Sequence, residues 1–148
     1  MLDEHTGSLL VGDAVGVRLP DVGVLQPAVP PPDFDLELAT ASIRRFAELR
    51  PEQVVLTHYG PVPDPMATLA DAEDLLRRWV AVAERALAEQ PEGGVEAIAA
   101  ALRAEVVDEG AVPDALRERV ETLNGIHANA SGIERYLRTR EATAAAAS

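Results

Sequence analysis

Gly7-Ser8-Leu9-Leu10-Val11-Gly12-Asp13-Ala14 reads as a turn glycine, a short apolar strand and a carboxylate set where the strand stops. The apolar run is too short for a helix and has glycine at both ends, so a strand over Ser8–Gly12 fits it best. Ahead of it, Asp3-Glu4-His5-Thr6-Gly7 has turn composition, with Gly supplying the positive φ that a hairpin needs. Met1 to Gly12 therefore reads as a hairpin whose first arm is the end of a strand. His5 falls on the hairpin tip, at the far end of the strand from Asp13, and reads as an exposed turn residue.

A second stretch, Val54-Val55-Leu56-Thr57-His58-Tyr59-Gly60-Pro61, has the same layout. Its continuous apolar run suits a strand covered on both faces, and it hands His58 to a Gly-Pro turn. Between the two strands, Asp33-Phe34-Asp35 caps a helix in which Leu36, Ala39, Ile43 and Phe46 recur at helical spacing, with Arg44, Arg45 and Glu48 on the wet face. Pro51 ends that helix. A strand, helix, strand unit places Asp13 and His58 at the carboxyl ends of neighbouring strands, where open α/β sheets build their sites. Taken singly, each residue has a plainer reading: Gly-Asp is an ordinary turn pair, and one His after a strand serves equally well as a structural histidine. Their combination singles them out.

In that order and spacing, the two stretches resemble the metallo-β-lactamase superfamily, specifically its glyoxalase-II-like hydrolases. The family's late motifs, TGxLxxGDA and THxGP, are matched by Thr6-Gly7-Ser8-Leu9-Leu10-Val11-Gly12-Asp13-Ala14 and by Thr57-His58-Tyr59-Gly60-Pro61. The resemblance implies an α/β fold, the carboxyl-terminal half of a metallo-β-lactamase αββα sandwich over residues 1–65, to which the apolar stripes add a helical extension over 66–141 and the Ala-rich end a disordered tail over 142–148. It also implies a metal-dependent hydrolase using two Zn2+ ions, or other divalent metals, with Asp13 bridging the pair and His58 completing the ligand set of the second metal. Asp13 and His58 are thus the expected metal-ligating and catalytic residues. The substrate expected is a small molecule, and its identity is not legible from the scaffold.

The family's HxHxDH loop is missing, since the only histidines are His5, His58 and His127. The expectation is therefore the carboxyl-terminal portion of a longer enzyme, inactive alone because a catalytic zinc takes three protein ligands. It would be completed by the absent amino-terminal half or by a homodimer. The competing expectation is a non-enzymatic α/β interaction module, or a pseudoenzyme, that docks on a partner.

Composition narrows the classes further. The 148 residues suit one domain, and with 47% hydrophobic but only 3% aromatic residues the core must be built from Ala, Val and Leu. Cysteine is absent, which removes disulfides and thiolate ligands together. A net charge of -12, with 25 acids against 13 bases, argues against a nucleic-acid surface. Neither a basic-apolar leader nor a membrane-length apolar run is present, so the expected compartment is the cytoplasm.

Residues 14–32 read as a long Gly- and Pro-rich loop that shapes a substrate pocket, with Val15, Arg18, Leu19, Val24 and Gln26 as candidate lining. Arg18 is its one cation and a candidate partner for an anionic substrate group; the plainer reading is an Arg facing solvent. Tyr59 reads chiefly as a packing residue, with its hydroxyl at the pocket edge as the alternative. From Met66, Leu69, Ala72, Leu76, Trp79, Ala83 and Leu87 form one helical stripe through Glu89. Pro91-Glu92-Gly93-Gly94 breaks it, and Val95, Ile98, Leu102 and Val106 mark a shorter helix. Pro113 opens a last helix, with its stripe at Leu116, Val120, Leu123, Ile126, Ala130, Ile133 and Leu137. His127 reads there as a partly buried structural histidine, Arg135, Arg138 and Arg140 as complements to the helix dipole, and Glu141 to Ser148 as a frayed tail.

Overall fold

Apolar Leu9 and Val11 alternate with outward neighbours in a strand of residues Ser8–Gly12, the expected bounds. The computed structural model describes residues 1–18, 23–108, 118 and 121–147, and the fold is mixed α/β. The expected Leu19 lining residue, and Pro113, Leu116 and Val120 of the last helix, lie outside the described residues. Contacts divide the chain into two units, residues 1–28 with 37–77 and residues 29–36 with 78–148.

The first unit holds a four-stranded sheet. Strands β1 (Leu2–Asp3) and β2 (Ser8–Gly12) form the expected antiparallel hairpin, with Leu2 opposite Leu9. The Asp3 carboxylate closes its turn, accepting from the His5 N–H at 3.0 Å and the Thr6 hydroxyl at 2.7 Å. The next two strands, β3 (Val17–Arg18) and β4 (Leu25–Gln26), pair with each other in a separate ribbon. Two strands thus form inside what the composition marks as loop. Gly16 permits the ribbon, because at φ 100° a Cβ there would lie 2.3 Å from the Gln26 carbonyl oxygen. Helix α1 (Leu36–Glu48) then leads to β5 (Gln53–Leu56), which runs parallel to β2 as the strand, helix, strand reading requires. A two-residue strand, β6 (Gly60–Pro61), closes the order β1-β2-β5-β6.

Ile43, the only large apolar side chain of α1 that is fully buried, is 1% exposed, and Leu9 and Val54 are 2% and 0%. Each such burial contributes about 1.5–3 kcal/mol relative to exposure. Helix α2 (Pro65–Glu89) starts with the Asp64 carboxylate accepting from the Ala67 N–H at 3.0 Å, an N-cap. Its Glu73 accepts from Arg44 of α1 at 2.7 Å and from Arg77 at 2.9 Å. These bonds, first to Arg44 and then to Arg77, hold the Glu73 carboxyl below its usual range.

The second unit contains the rest of α2, a 3-10 turn at Pro91–Gly93, α3 (Gly94–Asp108) and α4 (Ile126–Ala146), with α3 packed along α4. Trp79, Ala83, Ile98, Leu102, Ala130, Ile133 and Leu137 form its core, as their helical spacing predicts. The side chain of Val106 lies outside the description. Three expectations are corrected here. The last helical stripe is not one helix: the chain bends at Asn124-Gly125, and α4 begins at Ile126. Helix α4 continues to Ala146, so residues 142–146 are helical. Arg135, Arg138 and Arg140 consequently fall in mid-helix, where they bind the Pro32 carbonyl (3.1 Å), Glu134 (2.7 Å) and Glu84 (2.6 Å) instead of complementing a helix end. No helix among the described residues is long and apolar enough to cross a membrane.

Candidate functional site

Asp13 follows β2, and His58 follows β5 after Thr57. Because the two strands are parallel, both residues leave the sheet at the same end, and His58 Nε2 comes within 4.0 Å of Asp13 Oδ1. The ladder is irregular between Leu10 and Gly12: Leu10 faces Val55 but Gly12 faces Leu56, so β2 carries one extra residue just before Asp13. A bulge of this kind re-aims the side chain that follows it.

The backbone on either side of the pair is left-handed. Gly12 has φ 63°, and Tyr59 and Gly60 have φ 68° and 79°. Glycine adopts that region without strain, whereas an aromatic residue there costs about 1–2 kcal/mol. Tyr59 is also 53% exposed, which corrects the expectation that it packs. Strain of this sort concentrates where a site dictates the backbone.

The side chains of Asp13 and His58 are 56% and 41% exposed, and neither has a hydrogen-bond partner among the described residues. Zinc sits about 2.0–2.2 Å from imidazole nitrogen and carboxylate oxygen, so two tetrahedral ligand atoms lie roughly 3.3–3.5 Å apart. A separation of 4.0 Å between half-exposed side chains is within a small rotamer adjustment of that value. The donor set therefore fits half of a zinc site. Among the described residues no group of three or more His, Cys, Asp or Glu side chains is placed to hold a metal ion.

Arg18 and Gln26, among the other expected site residues, lie in the β3–β4 ribbon. In the ribbon, Val17 pairs with Gln26 and Arg18 with Leu25, so Arg18 and Gln26 point to opposite faces. Arg18 lies over Gly23, with its Nη2 3.6 Å from where a Cβ on that glycine would be. Val15 and Gln26 are buried, at 2% and 4% exposed, and Val24 is half-buried. His5 is exposed on its turn. His127 is exposed, which corrects its expected burial, and its Nε2 stands 3.0 Å from Glu96 Oε1.

Asn129 opens a formal Asn129-Ala130-Ser131 glycosylation pattern that carries no weight in a helix, and that pattern gives no sign of its structural role. In the second unit this residue is 1% exposed; its Nδ2 donates to Asn124 Oδ1 (2.9 Å) and to the Gly125 carbonyl (3.2 Å), and its Oδ1 accepts from the Val29 N–H at 2.6 Å. One turn on, Gly132 lets the chain approach so closely that a Cβ there would lie 1.8 Å from the Val29 carbonyl oxygen. Tyr136 stacks on Phe34 with ring centroids 5.4 Å apart. Together they clasp residues 29–36 onto α4. The spacing of Asn129, Gly132 and Tyr136 at positions i, i+3 and i+7 was the available signal.

Set against known proteins, the chain matches no family model, no curated protein and no solved structure.

Proposed function

We propose that this chain is the Asp13- and His58-bearing part of a metal-dependent hydrolase of the metallo-β-lactamase type, with further ligands supplied from outside the described residues. The observation that carries the reading is the 4.0 Å approach of His58 Nε2 to Asp13 Oδ1 at the shared end of two parallel strands. Both side chains are open to solvent and free of hydrogen bonds among the described residues, as ligands awaiting a cation would be. When bound, two zinc ions would supply a hydroxide nucleophile at neutral pH and polarise the bond under attack. This chain's contribution is to hold one carboxylate, suited by its two oxygens to a bridging role, and one neutral imidazole. Two ligands are fewer than the three that catalytic zinc takes, so no hydrolytic step is assigned to the chain by itself.

The test is elemental analysis of the protein isolated from its own cells under native conditions, beside the recombinant 148-residue chain. Zinc or another divalent metal in stoichiometric amount in the native sample, lost on Asp13→Ala or His58→Ala, supports the hydrolase. A native sample without metal removes it.

One observation favours a second reading, an interaction module. The Met1 N–H3 donates to the Leu10 carbonyl at 2.7 Å and the Leu10 N–H to Met1 at 2.8 Å, so Met1 stands opposite Leu10, which pairs with Val55, which pairs with Pro61. That row crosses the sheet on one face, with Met1 81% and Leu10 42% exposed. A metal-free native sample containing a stable partner would select this reading.

A further inference from the structure

The bend ahead of α4 carries Asn124-Gly125, and the chain has only one other asparagine, Asn129. A glycine after asparagine has no Cβ to shield its own peptide nitrogen, so that nitrogen reaches the asparagine side-chain carbonyl with little steric hindrance. The pair stands at a break in the helical structure, with Gly125 as the N-cap of α4. Yet the fold holds its side chain. Asn124 is 8% exposed, and its Oδ1 accepts from Asn129 Nδ2 at 2.9 Å. Asn129 is itself fixed, donating also to the Gly125 carbonyl at 3.2 Å and accepting from the Val29 N–H at 2.6 Å. The labile pair is thus tied to the same clasp that holds residues 29–36 on α4.

We propose that Asn124 is a site of spontaneous deamidation, and that the Asn129 amide is the catch that sets its rate. In the reaction the Gly125 nitrogen attacks Asn124 Cγ; the N–Cγ bond forms, the Cγ–Nδ2 bond breaks, and the Gly125 proton leaves with the amide as ammonia. Water then opens the cyclic imide at either carbonyl, leaving aspartate or isoaspartate at position 124. The attack requires Cγ to swing over the Gly125 nitrogen, a movement that the Asn129 bond to Oδ1 opposes. The closed clasp is therefore protected, and the reaction runs from the fraction of molecules in which it is locally open. Reclosing outpaces so slow a reaction, so its rate follows the open population. Isoaspartate puts an additional carbon into the main chain at the bend and moves the bonded oxygen away from Asn129. The clasp is then weakened, and the bend acts as a clock of the time the clasp spends open.

The experiment incubates the full chain in mildly alkaline buffer as wild type, Asn129→Ala, Phe34→Ala and Gly125→Ala, each folded and in guanidinium chloride. Intact mass follows the conversion of amide to acid, and peptide mapping separates position 124 from Asn129 and the glutamines. Wild type is expected to react at Asn124 at least about tenfold faster in denaturant than when folded. In denaturant, Gly125→Ala reacts about fivefold or more slowly than wild type, because a Cβ now shields the attacking nitrogen. In buffer, Asn129→Ala removes the catch and should react at least about tenfold faster than folded wild type. Phe34→Ala loosens the clasp only through its ring contact with Tyr136, and a smaller acceleration is expected. Should Asn129→Ala fail to fold, Phe34→Ala and the two wild-type rates still decide. Equal rates for folded and denatured wild type would mean that no catch operates, and would overturn the proposal. Folded variants no faster than wild type, or denatured wild type that reacts elsewhere than at Asn124, would overturn it as well.

Discussion

In the strand-bearing unit, Asp13 and His58 stand 56% and 41% exposed at strand ends with no hydrogen-bond partner among the described residues. In the helical unit Asn129 is 1% exposed, and every polar atom of its amide is bonded. The same contrast holds for the backbone. Around His58 an aromatic residue sits at φ 68° in solvent, whereas Gly132 fills a spot where nothing larger fits. Polar groups that hold a fold are saturated, and their removal costs stability. Groups kept for chemistry are left open, and their removal costs little, so stability measurements can separate the two.

The largest effect is expected at the clasp. Gly132→Ala pushes a methyl into the Val29 carbonyl, and should lower unfolding free energy by more than about 3 kcal/mol in urea titration. Asn129→Ala strands the buried Val29 N–H and removes the amide bonds to Asn124 and Gly125, and the expected loss is roughly 2–4 kcal/mol by the same titration. A loss below 1 kcal/mol at either site would mean that the clasp is not structural.

Glu73→Gln sharpens the comparison with a polar group that is structural yet near the surface. Its loss should be about 1 kcal/mol or less at neutral pH, the scale of surface ion-pair networks. The folded carboxyl is held below its ordinary range by Arg44 and then Arg77, so its contribution is present above the ordinary carboxylate range and fades as pH falls through the lowered value. Melting curves of wild type and Glu73→Gln should therefore differ at pH 7 and converge in strong acid. Smaller still, Tyr59→Gly relieves a left-handed aromatic residue and should stabilise by up to about 1 kcal/mol, read from the same curves.

The strand, helix, strand order was legible because Leu9, Val11, Val54 and Leu56 alternate or run together between Gly and Pro punctuation, and because Ile43 lies on one helical face. Asp13 and His58 were legible as strand-end residues, and their approach follows from parallel pairing. What escaped was set by tertiary contacts. The extra residue before Asp13 has no local signal in Leu10-Val11-Gly12. The β3–β4 ribbon depends on Gly16 meeting a backbone ten residues away, so composition alone reads as loop. Asn129 looked like an ordinary helix residue because its partners, Asn124 and Val29, are brought to it by a bend and by a distant proline-rich segment. Tyr59, an aromatic residue expected to pack, sits instead at φ 68° and is 53% exposed.

The central claim is that Asp13 and His58 are ligands and not supports. Zn2+ titration by calorimetry into the protein isolated from its own cells and stripped of metal, as wild type, Asp13→Ala and His58→Ala, with an unfolding curve for each, tests it most directly. The account predicts one bound Zn2+ in wild type, affinity at least tenfold lower in each variant, and unfolding free energies within about 0.5 kcal/mol of one another. Equal Zn2+ binding by all three proteins, or none by wild type, would contradict it.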